Sequence, residues 1–91
     1  GKAWVQNGVK FDGYRNGTLI EAKGNYDNFV NKDGELYSWF KGKDSLLDQA
    51  SRQTIAADGT AIEWYVQSEK SYNAISNILQ GYDNIAVIFK P

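Results

Sequence analysis

Near its start the chain carries two strand-like runs, 9–14, where apolar Val9 and Phe11 alternate with Lys10 and Asp12, and 18–23. A period of two is that of half-buried strands. Between the two runs stands Asn16-Gly17, a strong hairpin signal because both central residues of a type I′ turn need positive φ. A second turn dipeptide, Asn7-Gly8, precedes residue 9, and "AWV" at 3–5 reads as a further short strand. From 24 to 43 the pattern dissolves into turn residues and aromatics, with one short helix expected around 26–31. Helical spacing follows in "DSLLDQASRQTIAADG", with Leu46, Leu47, Ala50, Thr54 and Ala57 near one face. Asp44 or Ser45 would cap its start, and Gly59 lies past its end. Alternation returns in "AIEWYVQ", 61–67, which puts Trp64 and Tyr65 on opposite strand faces and at least one of them in the core. "SEKSYNAISNILQG" predicts a second helix with Ser68 as cap, Tyr72, Ile75 and Leu79 inward, and Gly81 at the stop. The continuous apolar run in "NIAVIFK", 84–90, predicts a last strand buried on both faces. Three strands, a long loop, then helix, strand, helix and strand make an α/β fold with a mixed central β-sheet flanked by helices.

Composition narrows the chemistry. The 91 residues fit a single domain, 1–91, and the abrupt start at Gly1 is expected of the C-terminal part of a longer protein. There is no Cys and no His. Disulfides, Cys/His zinc sites, Cys nucleophiles and His general bases are therefore excluded. A metal would be held by oxygen ligands, which suits Mg²⁺ or Mn²⁺. No apolar run approaches the length of a membrane span, so no membrane insertion is expected. The net charge of −1 is not the basic excess of a general nucleic-acid binder, which leaves that work to local clusters.

The two hairpin runs carry three charges in the middle of strands. With a two-residue turn at Asn16-Gly17, Arg15 pairs with Thr18, Gly13 with Ile20 and Asp12 with Glu21. Directly opposed residues share a face, with Cβ atoms about 4.5–5.5 Å apart. Lys23, two on from Glu21, shares that face, while Phe11, Ile20 and Ala22 are expected on the other, toward the helices. Opposed carboxylates repel. A divalent cation between them turns repulsion into coordination, and a neighbouring Lys could hold a water or offset developing phosphorane charge. The ordinary reading is a solvated edge strand on which a Glu/Lys pair guards against aggregation.

"FDGYRNGTLIEAKG" resembles the core of PD-(D/E)xK nucleases, the restriction-endonuclease-like fold, and more narrowly the toxin domains of that fold at the C-termini of bacterial polymorphic toxins. "YSWFKG", "QASRQTIAADG" and "IEWYVQ" follow in the order and rough spacing of that family, so the resemblance runs from about residue 4 to 80. It implies Asp12 as metal-binding aspartate, Glu21 as second metal ligand and Lys23 as catalytic lysine. Arg52 and Gln53 match polar helix positions that face the cleft or the phosphate backbone, and Gln67 is a weaker match. Phe11 replaces the proline of the nominal motif, and no helix is evident before Trp4.

The aromatic stretch, with Tyr26, Phe29, Tyr37, Trp39 and Phe40 beside Lys41 and Lys43, could stack on bases and touch phosphates. Trp39 and Phe40 are instead expected to pin the long loop to the core. Arg52 could contact phosphate or pair with Asp48 four residues earlier. The expectation is a Mg²⁺-dependent endonuclease (possible also with Mn²⁺) acting on DNA, with RNA as second choice. The resemblance further implies export by a bacterial toxin-delivery system, action in the target-cell cytoplasm and a cognate immunity protein in the producer. The alternative is a non-catalytic module that keeps the fold and binds protein or nucleic acid.

Overall fold

The computed structural model describes residues 3–91. β1 (Trp4–Gln6) and β2 (Val9–Phe11) form a two-stranded antiparallel arm. β3 (Gly13–Arg15), β4 (Thr18–Lys23), β5 (Ala61–Val66) and β6 (Ile85–Phe89) form a four-stranded sheet in that order. β3 runs antiparallel to β4, while β4–β5 and β5–β6 are parallel, so the sheet is mixed. α1 (Gly42–Ala57) connects β4 to β5 after the aromatic stretch, and α2 (Glu69–Ile78) connects β5 to β6. Each parallel pair thus has its crossover helix, as parallel pairing requires. No helix among the described residues is long and apolar enough to cross a membrane.

Both hairpin turns form as their dipeptides demand. Asn7 and Gly8 have φ of 50° and 81°, Asn16 and Gly17 51° and 81°. The pairing of Arg15 with Thr18 and of Gly13 with Ile20 is as expected. The expected strand over 9–14, however, is two strands. The ladder breaks at Asp12, whose amide donates to the Ile20 carbonyl at 2.9 Å. The Asp12 carboxylate in turn accepts the Ala22 amide through Oδ2 at 2.7 Å. A side chain has replaced a backbone partner, and the paired face inverts. Leu19 and Glu21 are buried, while Ile20 is half-buried and Ala22 exposed. Phe11 does point into the core, but Ile20 and Ala22 do not.

The core lies on one face of the sheet. Leu19 of β4 and Ile62, Trp64 and Val66 of β5 join Leu46, Ala50 and Ala57 of α1 and Ala74 and Ile75 of α2 in one cluster. Trp64 is therefore the core member of the Trp64–Tyr65 pair. With the helices' apolar residues all on that face, β6 is an edge strand buried only at Ile85, with Ala86 and Phe89 exposed. Its apolar run does not signify burial on both faces.

α1 begins earlier than its capping residues suggest. Turns bonding Phe40 to Tyr37 and Lys43 to Phe40 feed into the helix, so Asp44 lies in its first turn and Lys41 holds the N-cap position without a side-chain bond. Gly42 permits this, because a Cβ there would overlap the Phe40 ring. At the other end Asp58 turns left-handed, φ 47°, and Gly59 follows. Ser68 does precede α2 in an extended conformation, but its hydroxyl donates to Asp27 rather than capping the helix. The short helix of the aromatic stretch is a single 3-10 turn, Asp27–Phe29.

Candidate active site

Glu21 sits mid-strand in β4 beneath α1, only 7% exposed. Burying a carboxylate is costly unless donors surround it. Three do. Gln49 Nε2 donates to Oε2 at 2.8 Å, Gln53 Nε2 donates to Oε1 at 3.1 Å, and Lys23 Nζ lies 3.2 Å from Oε2. The Lys23 ammonium also donates to Gln49 Oε1 and lies 5.0 Å from the Trp64 ring centroid. Trp64 Nε1 donates to Gln53 Oε1 at 2.9 Å, closing the chain of bonds. The positions follow from local periodicity. Glu21 and Lys23 share one face of β4, Trp64 is Glu21's partner across the parallel pair, and Gln49 and Gln53 lie one helical turn apart on α1.

Asp12 is placed differently. It is exposed at the ladder break, with Oδ2 taken by the Ala22 amide. Asp12 and Glu21 nevertheless line one cleft of about 290 Å³, together with Val9, Lys10, Gln49, Arg52 and Gln53. Arg52 is on its rim, with Nε 2.9 Å from Asp48 Oδ2 and both side chains largely exposed. Arg52 thus forms the expected helix-surface ion pair with Asp48 and also walls the cleft. A larger cleft, about 470 Å³, adjoins through the shared residues Val9 and Arg52.

The other expected substrate contacts are elsewhere. Gln67 lines a separate groove on the strand ends with Ala22, Lys23 and Lys90. Lys43 lines a groove with Asn31, Tyr37 and Ile78, on the α2 side of α1. Lys41 is exposed where α1 begins and walls neither. Thus Asp12, Glu21, Gln53 and Arg52 come together, Lys23 meets Glu21 from behind, and Lys41, Lys43 and Gln67 stay apart. The expectation for Trp39 is also overturned, since it is 62% exposed, while Phe40 packs against the core. Trp39 stacks on Tyr37 at 5.0 Å and Phe29 on Phe40 at 4.1 Å, so the loop's rings largely pack on one another.

Two cleft residues, Gln49 and Lys10, and the role of the buried Trp64 behind Gln53 escaped the sequence reading. Gln49 carried a signal, because two glutamines four apart flank Ala50 on the apolar side of α1. Tyr26 lies near enough to Glu21 to feel its charge. Burial chiefly, and that charge in addition, raise the Tyr26 hydroxyl above its ordinary value.

A hard divalent cation fits this donor set. Mg²⁺ binds through one or two carboxylates and keeps several waters. Asp12 and Glu21 supply two carboxylates on a cleft with room for water. Among the described residues no cluster of three or more acidic, His or Cys side chains forms. A cation here would thus be held by this pair, with water and backbone oxygens completing its shell.

Comparison with curated proteins and with solved structures finds no match. A family model described as restriction endonuclease fold toxin 5 matches residues 1–69, a span that contains Asp12, Glu21, Lys23, Gln49, Arg52, Gln53 and all of β5. With well over half of its length matched, and with a mixed sheet carrying the cleft of Asp12 and Glu21, the chain belongs to the restriction endonuclease fold toxin family.

Proposed function

We propose that this chain is a Mg²⁺-dependent nuclease, able to use Mn²⁺, that hydrolyses phosphodiester bonds in DNA, RNA being the second choice of substrate. One observation carries the reading: in a chain of this toxin family, the Asp12 carboxylate at the break between β2 and β3 and the Glu21 carboxylate of β4 line one cleft, with Lys10 and Arg52 on its walls. Asp12 and Glu21 would hold the cation. When bound, it would polarise a phosphate oxygen and acidify a water. The protein's own residues would do the rest. The Lys23 ammonium, its side chain 11% exposed, would orient the attacking water or offset charge on the phosphorane oxygens. Arg52 and Lys10 would contact flanking phosphates, which position the strand without reading its sequence.

The family supports a role in competition between bacteria. In that role the domain would be delivered by an export system, act in the target-cell cytoplasm and be restrained in its producer by a cognate immunity protein. An acidic partner, or one shaped to the cleft, would do this.

The test is incubation of the purified domain with plasmid and with total RNA, in Mg²⁺, in Mn²⁺ and in chelator. Chelator-sensitive degradation, lost in folded Asp12→Ala, Glu21→Ala and Lys23→Ala, is the expected result. The preferred substrate decides between DNA and RNA. No degradation of either in both metals would leave the chain as a non-catalytic module that binds nucleic acid or protein.

A further inference from the structure

The amide groups around Glu21 cannot be arranged in any other way. An indole N–H only donates, so the Gln53 atom facing Trp64 must be the carbonyl oxygen. Gln53 Nε2 is then turned to Glu21. An ammonium also only donates, so Lys23 fixes Gln49 with its oxygen toward Nζ and its Nε2 toward Glu21. Two donor-only side chains thereby set two glutamines, and the glutamines set one carboxylate. Gln53 is fully buried, and both ends of its amide are held by protein partners.

A carboxylate offers about four lone-pair sites, two on each oxygen. Oε2 of Glu21 accepts Gln49 and has the Lys23 ammonium 3.2 Å away, whose positive charge keeps a second cation from that oxygen, and Oε1 accepts Gln53 on one side. We infer that Gln49 and Gln53 are positioning residues that leave Glu21 a single lone pair, on Oε1, with which to ligate a cation. This rests on the proposed metal-dependent reading and deepens it. Glu21 is then a one-bond ligand that does not bridge two ions, and its direction is set by Trp64, a residue that itself touches neither cation nor substrate. Partners that orient metal ligands are commonly worth about 10–100-fold in metal affinity or activity.

Mn²⁺ alone is the probe, with binding followed by electron paramagnetic resonance of the free ion and cleavage measured in parallel. The wild type should bind one Mn²⁺ per chain in a manner lost in Glu21→Gln. Gln53→Met keeps length and bulk but removes the donor, and should weaken Mn²⁺ binding about tenfold. Trp64→Phe leaves Gln53 free to rotate and should shift binding the same way by less. In cleavage, both variants should raise the Mn²⁺ concentration for half-activity and lower kcat, while KM for nucleic acid stays put. A purely structural role would lower the melting temperature and leave Mn²⁺ affinity in the folded variant unchanged. Should Gln53→Met fail to fold, Gln49→Met, at a half-buried position on the cleft wall, reads the same effect through Oε2. Wild-type affinity in the folded glutamine variants, or two Glu21-dependent ions per chain, overturns the inference while the proposed function stands. No Mn²⁺ binding by the wild type overturns both.

Discussion

Glu21 and Trp39 occupy surroundings opposite to their chemistry. The carboxylate is 7% exposed and the indole 62%. Glu21 can be buried because three donors meet it, each held by a further partner. Trp39 can be exposed because the loop between β4 and α1 satisfies its rings with one another, through the Tyr37–Trp39 and Phe29–Phe40 stacks. One region is rigid and polar at the base of a cleft; the other is apolar at the surface. The difference locates the candidate chemistry. A buried carboxylate is maintained at a cost only where every donor around it is fixed, whereas a surface aromatic costs little and by itself specifies nothing.

The sharpest way to break this contrast is to truncate both residues in the absence of metal. Glu21→Ala strands the amide donors of Gln49 and Gln53 and the Lys23 ammonium beneath the helix. Removing one partner of a buried ion pair costs about 3–5 kcal/mol. Trp39→Ala removes a surface stack, for which about 0.5–1.5 kcal/mol is expected. Urea denaturation of both variants measures the gap. Equal losses would mean that solvent reaches Glu21 and that its network is not the rigid element described.

The contrast also shows what the sequence could express. Turn chemistry is local, so Asn16-Gly17 predicts both the hairpin and its Gly13–Ile20 register. Helical and strand periods likewise predict α1, β5 and α2 in order. Which face of β4 would be buried was not local. "LIEAK" places apolar residues on both faces, and the decision rests on Gln49 and Gln53, 28 and 32 residues further on. The break at Asp12 was equally hidden, because it depends on a side chain capturing a backbone amide ten residues away. A strand run of unbroken apolar character, as in β6, could not reveal that both helices would choose the same face.

Asp12 gives the next largest effect, and a different one from Glu21. Its exposed carboxylate makes one backbone bond, so Asp12→Asn, which keeps an oxygen acceptor for the Ala22 amide, should cost no more than about 1 kcal/mol. Ligand binding to the folded form raises stability by mass action. Mg²⁺ should therefore raise the wild-type melting temperature, and that rise should shrink or vanish in Asp12→Asn. A thermal melt of each protein with and without Mg²⁺ checks it. An equal rise in both would remove Asp12 from the ligand set.

The aromatic loop has one polar anchor of its own. Asp27 Oδ1 accepts the hydroxyls of Ser68 and Ser71 at 2.6 Å each, and Ser71 Oγ accepts the Tyr26 amide at 2.8 Å. Hydrogen bonds from Ser68 first and Ser71 second hold the Asp27 carboxyl below its ordinary 3.8. With the folded value depressed, the unfolded chain binds more protons as acid is added. The contribution is complete above the ordinary carboxylate value and is lost as pH falls through the depressed one. Denaturation of wild type and Asp27→Asn from neutrality into acid should show a constant difference that closes only at the acid end. A difference that closed near neutrality would exclude Asp27 as its source.

The smallest effect concerns Arg52, where stability and binding should part company. Its pairing with Asp48 is 2.9 Å long, but the side chains are 57% and 68% exposed. Exposed pairs contribute about 0–1 kcal/mol, so Arg52→Ala should leave the denaturation midpoint almost unmoved. Nucleic-acid affinity should still fall. Each phosphate contact releases condensed counterions, and losing one should flatten the dependence of log affinity on log salt by about one. The loss should be similar for unrelated sequences, since a phosphate contact carries no base information. Asp48→Ala sharpens the test, because Asp48 competes with phosphate for the same guanidinium. Freed of it, Arg52 should bind substrate slightly more tightly, with the salt slope retained. Filter binding across a salt series, with a catalytically inert Glu21→Gln background to prevent cleavage, reads all three proteins. An Arg52→Ala slope equal to that of the background would reduce Arg52 to a helix-surface partner of Asp48 and leave Lys10 as the basic side chain serving the cleft.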